Sequence, residues 1–559
     1  MKFKDMQYKR LDLEQVKEEF YKILAEFKEA KSPEEQFEVH KKKYKLFDDI
    51  TTMIVLVEIR HSIDTTDPFY EKEQAFCDEI APLIEQLEHE YEDALYTSEF
   101  RDYLEEKIGK VAFKNIEIGK KAFSEALIPM MQEENALVTE YNKLIASAKI
   151  DWEGDVLNLS LLRKYLTHTD REVRRKAYEK YSAFFEANSK ELDDIYDKLV
   201  KNRTKQAQTM GYETYTELGY YRMNRNCYDQ AMVGEFRRQV KEYLVPLAEK
   251  IHENRRVRLG VEKLSFIDRD VNFPNGNPEP TGTPDEIMKL GSKMYAELSE
   301  ETKEFFDFMT ENELFDVLGR KSKQAGGYMT FLPNYEAPFI FANFNGTADD
   351  INVITHECGH AFQGYVAAKD PIKEHSTQVT METAETHSMS MEFFTRPWMH
   401  LFFGERTEEY LEMQLEDAIT FIPYGCMVDE FQHIVYGNPE LSPMERHAAW
   451  RKLEKEYMPH LSYEESPYFE QGTFWQKQLH IYNYPFYYID YCIAQTCAFQ
   501  YKIMMDEDYK KAWESYVTLC NRSASDFFVN LIKEAGLLNP FEDGCMKQLV
   551  EKLEKQVIK

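Results

Sequence analysis

The stretch Ile351-Asn-Val-Ile-Thr-His-Glu-Cys-Gly-His-Ala-Phe362 constrains this chain more than any other. It contains His356-Glu357-x-x-His360, and Ile351, Ile354, Cys358, Ala361, Phe362 and Tyr365 recur at helical spacing. That spacing predicts a helix opened by Asp349 and Asp350, whose carboxylates can cap its start and complement its dipole. Residues four apart share a helix face, so His356 and His360 can present imidazole nitrogens to one ion. Glu357 lies one residue round the helix and cannot join them as an equivalent ligand. It can instead reach a water on that ion and act as general base. With 14 histidines in 559 residues, a chance match to this pentapeptide has odds on the order of a few per cent.

Two imidazoles leave a catalytic zinc one protein ligand short, with a fourth position kept for water. Candidates follow in Met381-Glu-Thr-Ala-Glu-Thr-His-Ser-Met-Ser-Met-Glu392: Glu382, Glu385, His387 and Glu392. Periodicity does not choose among them, because Glu382, Glu385 and Glu392 lie near one helical face. His356-Glu-Cys-Gly-His360 followed by Glu385-x-x-Ser388-x-x-x-Glu392 resembles the thimet oligopeptidase and oligoendopeptidase F family of zinc peptidases, its oligoendopeptidase F and Pz-peptidase-like members in particular. The resemblance puts the third ligand 25 residues past the second histidine, which only Glu385 fits. It makes Glu392 the carboxylate that hydrogen-bonds a ligating imidazole and orients it.

A later block, His480-Ile-Tyr-Asn-Tyr-Pro-Phe-Tyr-Tyr-Ile-Asp-Tyr491, is similar to the family's C-terminal His/Tyr segment, which faces the zinc. Tyr484, Tyr488 and Tyr491 keep its four-then-three spacing, although His480 stands one residue closer than in the thimet oligopeptidases. A phenol there can donate a hydrogen bond to a carbonyl oxygen as negative charge develops. The resemblance therefore assigns His480, Tyr484, Tyr488 and Tyr491 to the catalytic site.

The rest of the chain reads as largely helical. Tyr (36) and Phe (37) are plentiful while Gly (22) and Pro (20) are sparse, and 559 residues exceed one ordinary core. Residues 11–200 read as successive amphipathic helices, with Leu13, Val16, Phe20, Ile23, Leu24 and Phe27 on one stripe. Ser32-Pro33-Glu34-Glu35, Asp67-Pro68, Thr169-Asp-Arg-Glu172 and Thr283-Pro-Asp-Glu286 read as helix starts. Ile150–Val156 reads as a hairpin about Glu-Gly-Asp, and Ser265–Thr283 as an ordered loop or domain junction. Lys41-Lys-Lys43 and Arg255-Arg-Val-Arg258 read as solvated helix faces. Gly326–Phe331 and Pro338–Phe344 read as strands, and a strand edge just before the metal helix could pair with an extended peptide. The fold class expected is mostly α, a two-lobed helical zincin with a small β-sheet beside the HExxH helix and a deep internal channel for short unfolded peptides. The expected division is a helical lobe over about 1–195 and a catalytic region over about 196–559, with the two lobes intertwined.

A formal net charge of −31 argues against nucleic acid and anionic membrane as partners. There is no apolar run of 18 residues, and Thr51–Val57 is too short to span a bilayer. The charged start carries no apolar signal core, and the eight cysteines show no CxxC pairing, which points to a reducing cytoplasm. Glu357-x-x-His360 and Glu430-x-x-His433 also match a di-iron carboxylate bundle superficially, but that reading leaves His356 and the tyrosine block unexplained. A non-catalytic helical scaffold leaves the whole constellation to chance. The expectation is a cytoplasmic zinc endopeptidase of short peptides, holding one Zn2+ through His356, His360 and Glu385.

Overall fold

A computed structural model describes every residue except Lys321, Ala325, Glu465 and Lys559. Helix makes up 73% of it, so burial is mainly helix on helix. Two small sheets complete the structure. In one, β1 (Ile150–Trp152) pairs antiparallel with β2 (Asp155–Leu157). Glu153 and Gly154 both take positive φ between them, as a two-residue hairpin turn requires. In the other, β3 (Phe315–Leu318), β4 (Tyr328–Leu332) and β5 (Ala337–Phe344) lie in the order β3-β5-β4, with β5 parallel to β3 and antiparallel to β4. The helices that carry the argument are α1 (Asp349–Ala367), α2 (Met381–Phe394), α3 (Thr407–Gly437) and α4 (Tyr488–Arg522).

The chain forms two compact units. The first is Met1–Glu117, Glu279–Thr407 and Met504–Leu537; the second is Ile118–Pro278, Glu408–Ile503 and Leu538–Lys559. Residues 195 and 196 both fall in the second unit, inside the unbroken helix Ser189–Thr209. A change of unit does fall between Pro278 and Glu279, inside the Pro- and Gly-rich loop.

In the first unit, helix Leu13–Glu29 buries Val16, Phe20, Ile23, Leu24 and Phe27 on its stripe. Ser32 accepts from the Glu35 amide and Pro33 opens the next helix, Pro33–Ile63. The Glu35 carboxylate reaches the Lys31 amide at 2.7 Å rather than the Ser32 amide, so the capping box is displaced by one residue. α1 buries Ile351, Ile354, Cys358, Ala361 and Phe362, all at most 1% exposed. Each fully buried Ile or Phe there contributes roughly 1.5–3 kcal/mol. Phe362 meets the rings of Phe305, Trp513 and Tyr516, which fixes the roll of α1. β5 has both edges occupied, by β3 and β4. The expected pairing edge is therefore not on Pro338–Phe344; the outer edges belong to β3 and β4, and β3 was invisible as a four-residue strand.

In the second unit, the run Arg255-Arg-Val-Arg258 is not the solvated face expected. Arg255 is buried and donates to Asp417 Oδ1 at 3.0 Å, and Arg258 donates to Glu416 Oε2 at 2.6 Å. Two arginines three apart on helix Val245–Leu259 thus meet carboxylates on α3. Lys43 in the first unit is likewise buried beside Glu88, at 2.8 Å, whereas Lys41 and Lys42 are exposed as expected. Asp170, not Thr169, caps the helix Arg171–Ala187. All eight cysteines are free. No helix among the described residues is long and apolar enough to cross a membrane.

Candidate metal centre

α1 begins after Ala348, which makes no side-chain cap. Asp350 serves the same end differently: its two carboxylate oxygens accept from the amides of Asn345 at 2.9 Å and Gly346 at 2.8 Å. It ties the loop after β5 to the first turn of α1, and so sets where the helix starts.

Four residues apart on α1, His356 and His360 stand with ring centroids 5.0 Å apart at 83°. α2 brings Glu385 to both: Oε2 lies 3.3 Å from His356 Nε2 and 3.6 Å from His360 Nε2. Among the described residues these three form the one group of His, Cys, Asp or Glu whose ligand atoms all fall within 4.8 Å. His356 Nδ1 lies 2.7 Å from Glu392 Oε1, which leaves Nε2 turned to Glu385. Ser388 Oγ donates to Glu385 Oε2 at 2.9 Å.

The other candidates point elsewhere. Thr380 Oγ1 donates to Glu382 Oε1 at 2.5 Å, and His387 Nδ1 lies 3.4 Å from Cys520 Sγ, both in buried surroundings. Glu430 accepts from Tyr457 and Lys241, while His433 Nε2 lies 3.1 Å from the Tyr220 hydroxyl. The second Glu-x-x-His pair therefore has structural partners of its own, and the di-iron inventory does not converge.

Charge follows from this packing. Burial raises Glu385, but the His360 and His356 imidazoles outweigh it and hold its carboxyl well below the usual carboxylate range. Burial also lowers His356, and there the Glu385 and Glu392 carboxylates reverse the effect and keep it well above an ordinary histidine. Glu357 is 9% exposed. Burial raises its carboxyl, with His356 and His360 opposing. It makes no hydrogen bond to a described residue, so its carboxylate is available to a water.

Gly359 explains why this register is possible. A Cβ at Gly359 would sit 2.6 Å from Ser388 Cα and 2.9 Å from the His387 carbonyl oxygen. The α1 and α2 backbones thus touch at a position with no side chain between them, which delivers Glu385 to the two histidines. Backbone cannot swing aside, so Gly359→Ala is expected to destabilise the protein by about 1–3 kcal/mol. Gly364→Ala on the same helix meets only the Phe331 ring at 3.4 Å, an ordinary contact, and serves as the control. Urea midpoints test this: equal midpoints for the two variants would remove the close-approach argument.

The His/Tyr block forms a cluster within the second unit. His480 stacks on Tyr487 at 5° with centroids 5.7 Å apart, and meets Tyr488 at 4.8 Å and Tyr491 at 6.2 Å. Tyr484 lies at the edge, 6.4 Å from His480, and is 58% exposed. The Tyr491 hydroxyl donates to the Tyr487 hydroxyl at 3.0 Å. Tyr487 went unremarked in the sequence; its place between Tyr484 and Tyr491 in a tyrosine-rich run was the available signal. Gln478 Nε2 lies 2.8 Å from His480 Nδ1, and burial brings the His480 pKa down to about 4, so the ring is neutral. Burial raises the Tyr488 hydroxyl far above an ordinary phenol, which keeps it protonated. Phe486 takes a positive φ of 67° in the turn before α4. Its carbonyl accepts from the buried Arg225, which also pairs with Asp490 at 3.1 Å and so fixes that turn.

Residues 164–551 match peptidase family M3, and residues 3–123 match the peptidase M3 N-terminal domain. The chain belongs to peptidase family M3. Among solved structures it is similar to a PZ peptidase A with inhibitor, at 47% identity and a TM-score of 0.93, covering 100% of this chain and 99% of that one. It is similar to a chain assigned as an oligoendopeptidase F from Bacillus anthracis str. Ames, at 45% identity and a TM-score of 0.89, covering 100% and 98%. It is also similar to oligopeptidase PepF of Bacillus subtilis (strain 168), at 21% identity over 565 residues, 94% of this chain and 81% of that protein. As an M3 member with these neighbours, the chain is a metalloendopeptidase.

Proposed function

We propose that this M3 peptidase is a zinc-dependent oligoendopeptidase in which His356, His360 and Glu385 hold one Zn2+ and Glu357 is the general base. The observation that carries the reading is the convergence of two imidazole nitrogens and one carboxylate oxygen beside a buried, raised glutamate. The donor set fits the ion. Tetrahedral zinc with bonds of about 2.0–2.1 Å separates its ligand atoms by about 3.3 Å, against 3.3 and 3.6 Å here. Two nitrogens and one oxygen also leave a fourth position for water or substrate. When bound, the ion supplies Lewis acidity toward a peptide carbonyl and lowers the pKa of water toward neutrality.

The chain's own groups do the rest. Glu392 holds His356 in the tautomer whose Nε2 lone pair is free, and Ser388 fixes the rotamer of Glu385. Glu357 takes the proton from the attacking water and returns it to the leaving amine, a transfer that a raised carboxyl favours at neutral pH. The resemblance to the family assigns Tyr491, with Tyr484, Tyr488 and the neutral His480, the role of donating hydrogen bonds to a substrate carbonyl oxygen as charge develops on it.

This reading limits substrates to short peptides, in keeping with relatives named as oligopeptidases. It also places the enzyme in the cytoplasm, in keeping with eight free cysteines. A short fluorogenic peptide should be cleaved internally by the zinc-loaded enzyme, while the interior of reduced casein, at equal bond concentration, should not. Mass spectrometry of early products decides it. Rapid internal cutting of casein would overturn the size limit while leaving the metal assignment standing.

A further inference from the structure

The second unit also holds a cationic pair that the metal chemistry leaves unused. Arg269 and Lys477 lie over the same aromatic ring, the guanidinium carbon 4.7 Å and the ammonium nitrogen 4.4 Å from the Phe474 centroid. Arg269 follows the turn Phe266–Asp268, and Lys477 ends the turn Phe474–Lys477. Asp270 answers Arg269 and keeps its guanidinium raised despite burial, but Lys477 has no such partner and Arg269 is only partly hydrogen-bonded. Asp270 Oδ1 is 3.5 Å from Arg269 Nε, and its other oxygen already accepts from the Tyr178 hydroxyl at 2.7 Å. Arg269 Nη1 is buried and has no hydrogen-bond partner. Lys477 makes no ion pair or hydrogen bond to a described residue; besides Phe474, its nitrogen faces the Tyr424 ring at 5.8 Å. Burial and the Arg269 charge, with Asp270 opposing and Arg163 adding, bring Lys477 down to about 7. Cations left this way weaken the fold unless an anion joins them.

These residues run directly into the His/Tyr cluster. Tyr424 faces Lys477, donates to Gln478 Oε1 at 2.7 Å, and meets the Tyr488 ring at 5.9 Å. Gln478 in turn contacts His480. We propose that Arg269 and Lys477 form a carboxylate-binding subsite that takes the free C-terminus of a peptide substrate, or the side-chain carboxylate of an acidic residue near its end. Both cations lie within 5 Å of one ring centroid, and a guanidinium and an ammonium can each donate to one oxygen of a carboxylate. The 5.9 Å between the Tyr488 and Tyr424 rings and the 5.8 Å from Tyr424 to Lys477 are together spanned by roughly three extended residues at 3.3–3.6 Å each. The proposal rests on the peptidase reading, since it concerns the substrate of that enzyme.

The test uses one short fluorogenic peptide in three forms: C-terminal acid, C-terminal amide, and amide ending in Glu. On the zinc-loaded wild type, kcat/KM for the acid should exceed that for the plain amide at least about tenfold, mainly through KM. The acid-to-amide ratio should fall toward one in Lys477→Gln and in Arg269→Gln. Lys477→Gln is the decisive variant, because Lys477 has no ion-pair partner to lose, whereas Arg269→Gln also removes the guanidinium that Asp270 faces at 3.5 Å. A Glu-amide cleaved like the acid shows that the subsite accepts either carboxylate; one cleaved like the plain amide assigns it to the C-terminus alone. Calorimetric titration of an acetylated tetrapeptide acid and its amide into metal-free protein reads the same preference without turnover. A failure of the peptidase reading is thereby told apart from a failure of the subsite. Equal affinity for acid and amide in the wild type, or a preference that survives Lys477→Gln, overturns the proposal.

Discussion

Glu357→Gln is expected to lower peptide hydrolysis by about 10²–10⁴-fold or more while zinc stays bound. The substitution keeps the side chain's volume at a position only 9% exposed, so it tests chemistry rather than packing. What it removes is the basic carboxylate. The three groups proposed as ligands lie elsewhere, on His356, His360 and Glu385, and none of them is hydrogen-bonded to Glu357. Metal content and turnover are therefore expected to separate in this variant. The lower bound reflects one proton transfer; Glu357 is asked to handle two, from water and to the leaving amine. Steady-state rates on a short peptide, with zinc measured on the same sample, check both halves. Near-normal turnover in a zinc-loaded Gln variant would move the general base to another residue.

Glu385→Ala is expected to weaken zinc binding by well over about 100-fold, whereas Glu382→Ala should leave it close to wild type. Loss of an outer-shell partner alone typically costs 10–100-fold in affinity, and Glu385 supplies one of three direct donors. The contrast is geometric. Glu385 Oε2 lies within 3.6 Å of both histidine Nε2 atoms, whereas Glu382 is engaged by Thr380. Both carboxylates are buried, so thermal melts of the two variants must show folded protein before the comparison is made. Zinc remaining after dialysis against a weak chelator is the measurement. Equal retention by both variants would place the third ligand elsewhere.

What was legible in the sequence had a local cause. The metal helix was readable because two histidines and a stripe of apolar residues share one period of 3.6, and α1 buries that stripe. Helix starts at Ser32, Asp67 and Thr283 were readable because a cap is a contact between residues two or three apart. The third ligand was not readable from periodicity, since Glu382, Glu385 and Glu392 share a helical face. What separates them is where α2 touches α1, at Gly359 against Ser388, and that is a tertiary fact. The resemblance to known peptidases supplied the register that periodicity could not. Arg255 and Arg258 looked solvated because their carboxylate partners lie 162 and 158 residues away, on α3. β3 is four residues long and pairs parallel with a strand beyond β4, so no alternation marked it. A single boundary near 195/196 was not legible for a similar reason: each compact unit is assembled from three separated stretches.

The most direct test of the account is metal content measured together with activity. Purified protein would be stripped with a chelator, titrated with Zn2+, and followed for bound metal per chain and for hydrolysis of a short peptide at each step. The account predicts one zinc per chain, with activity rising in proportion to occupancy and levelling off at one equivalent. Two irons per chain, or hydrolysis that continues undiminished in stripped protein, would contradict it.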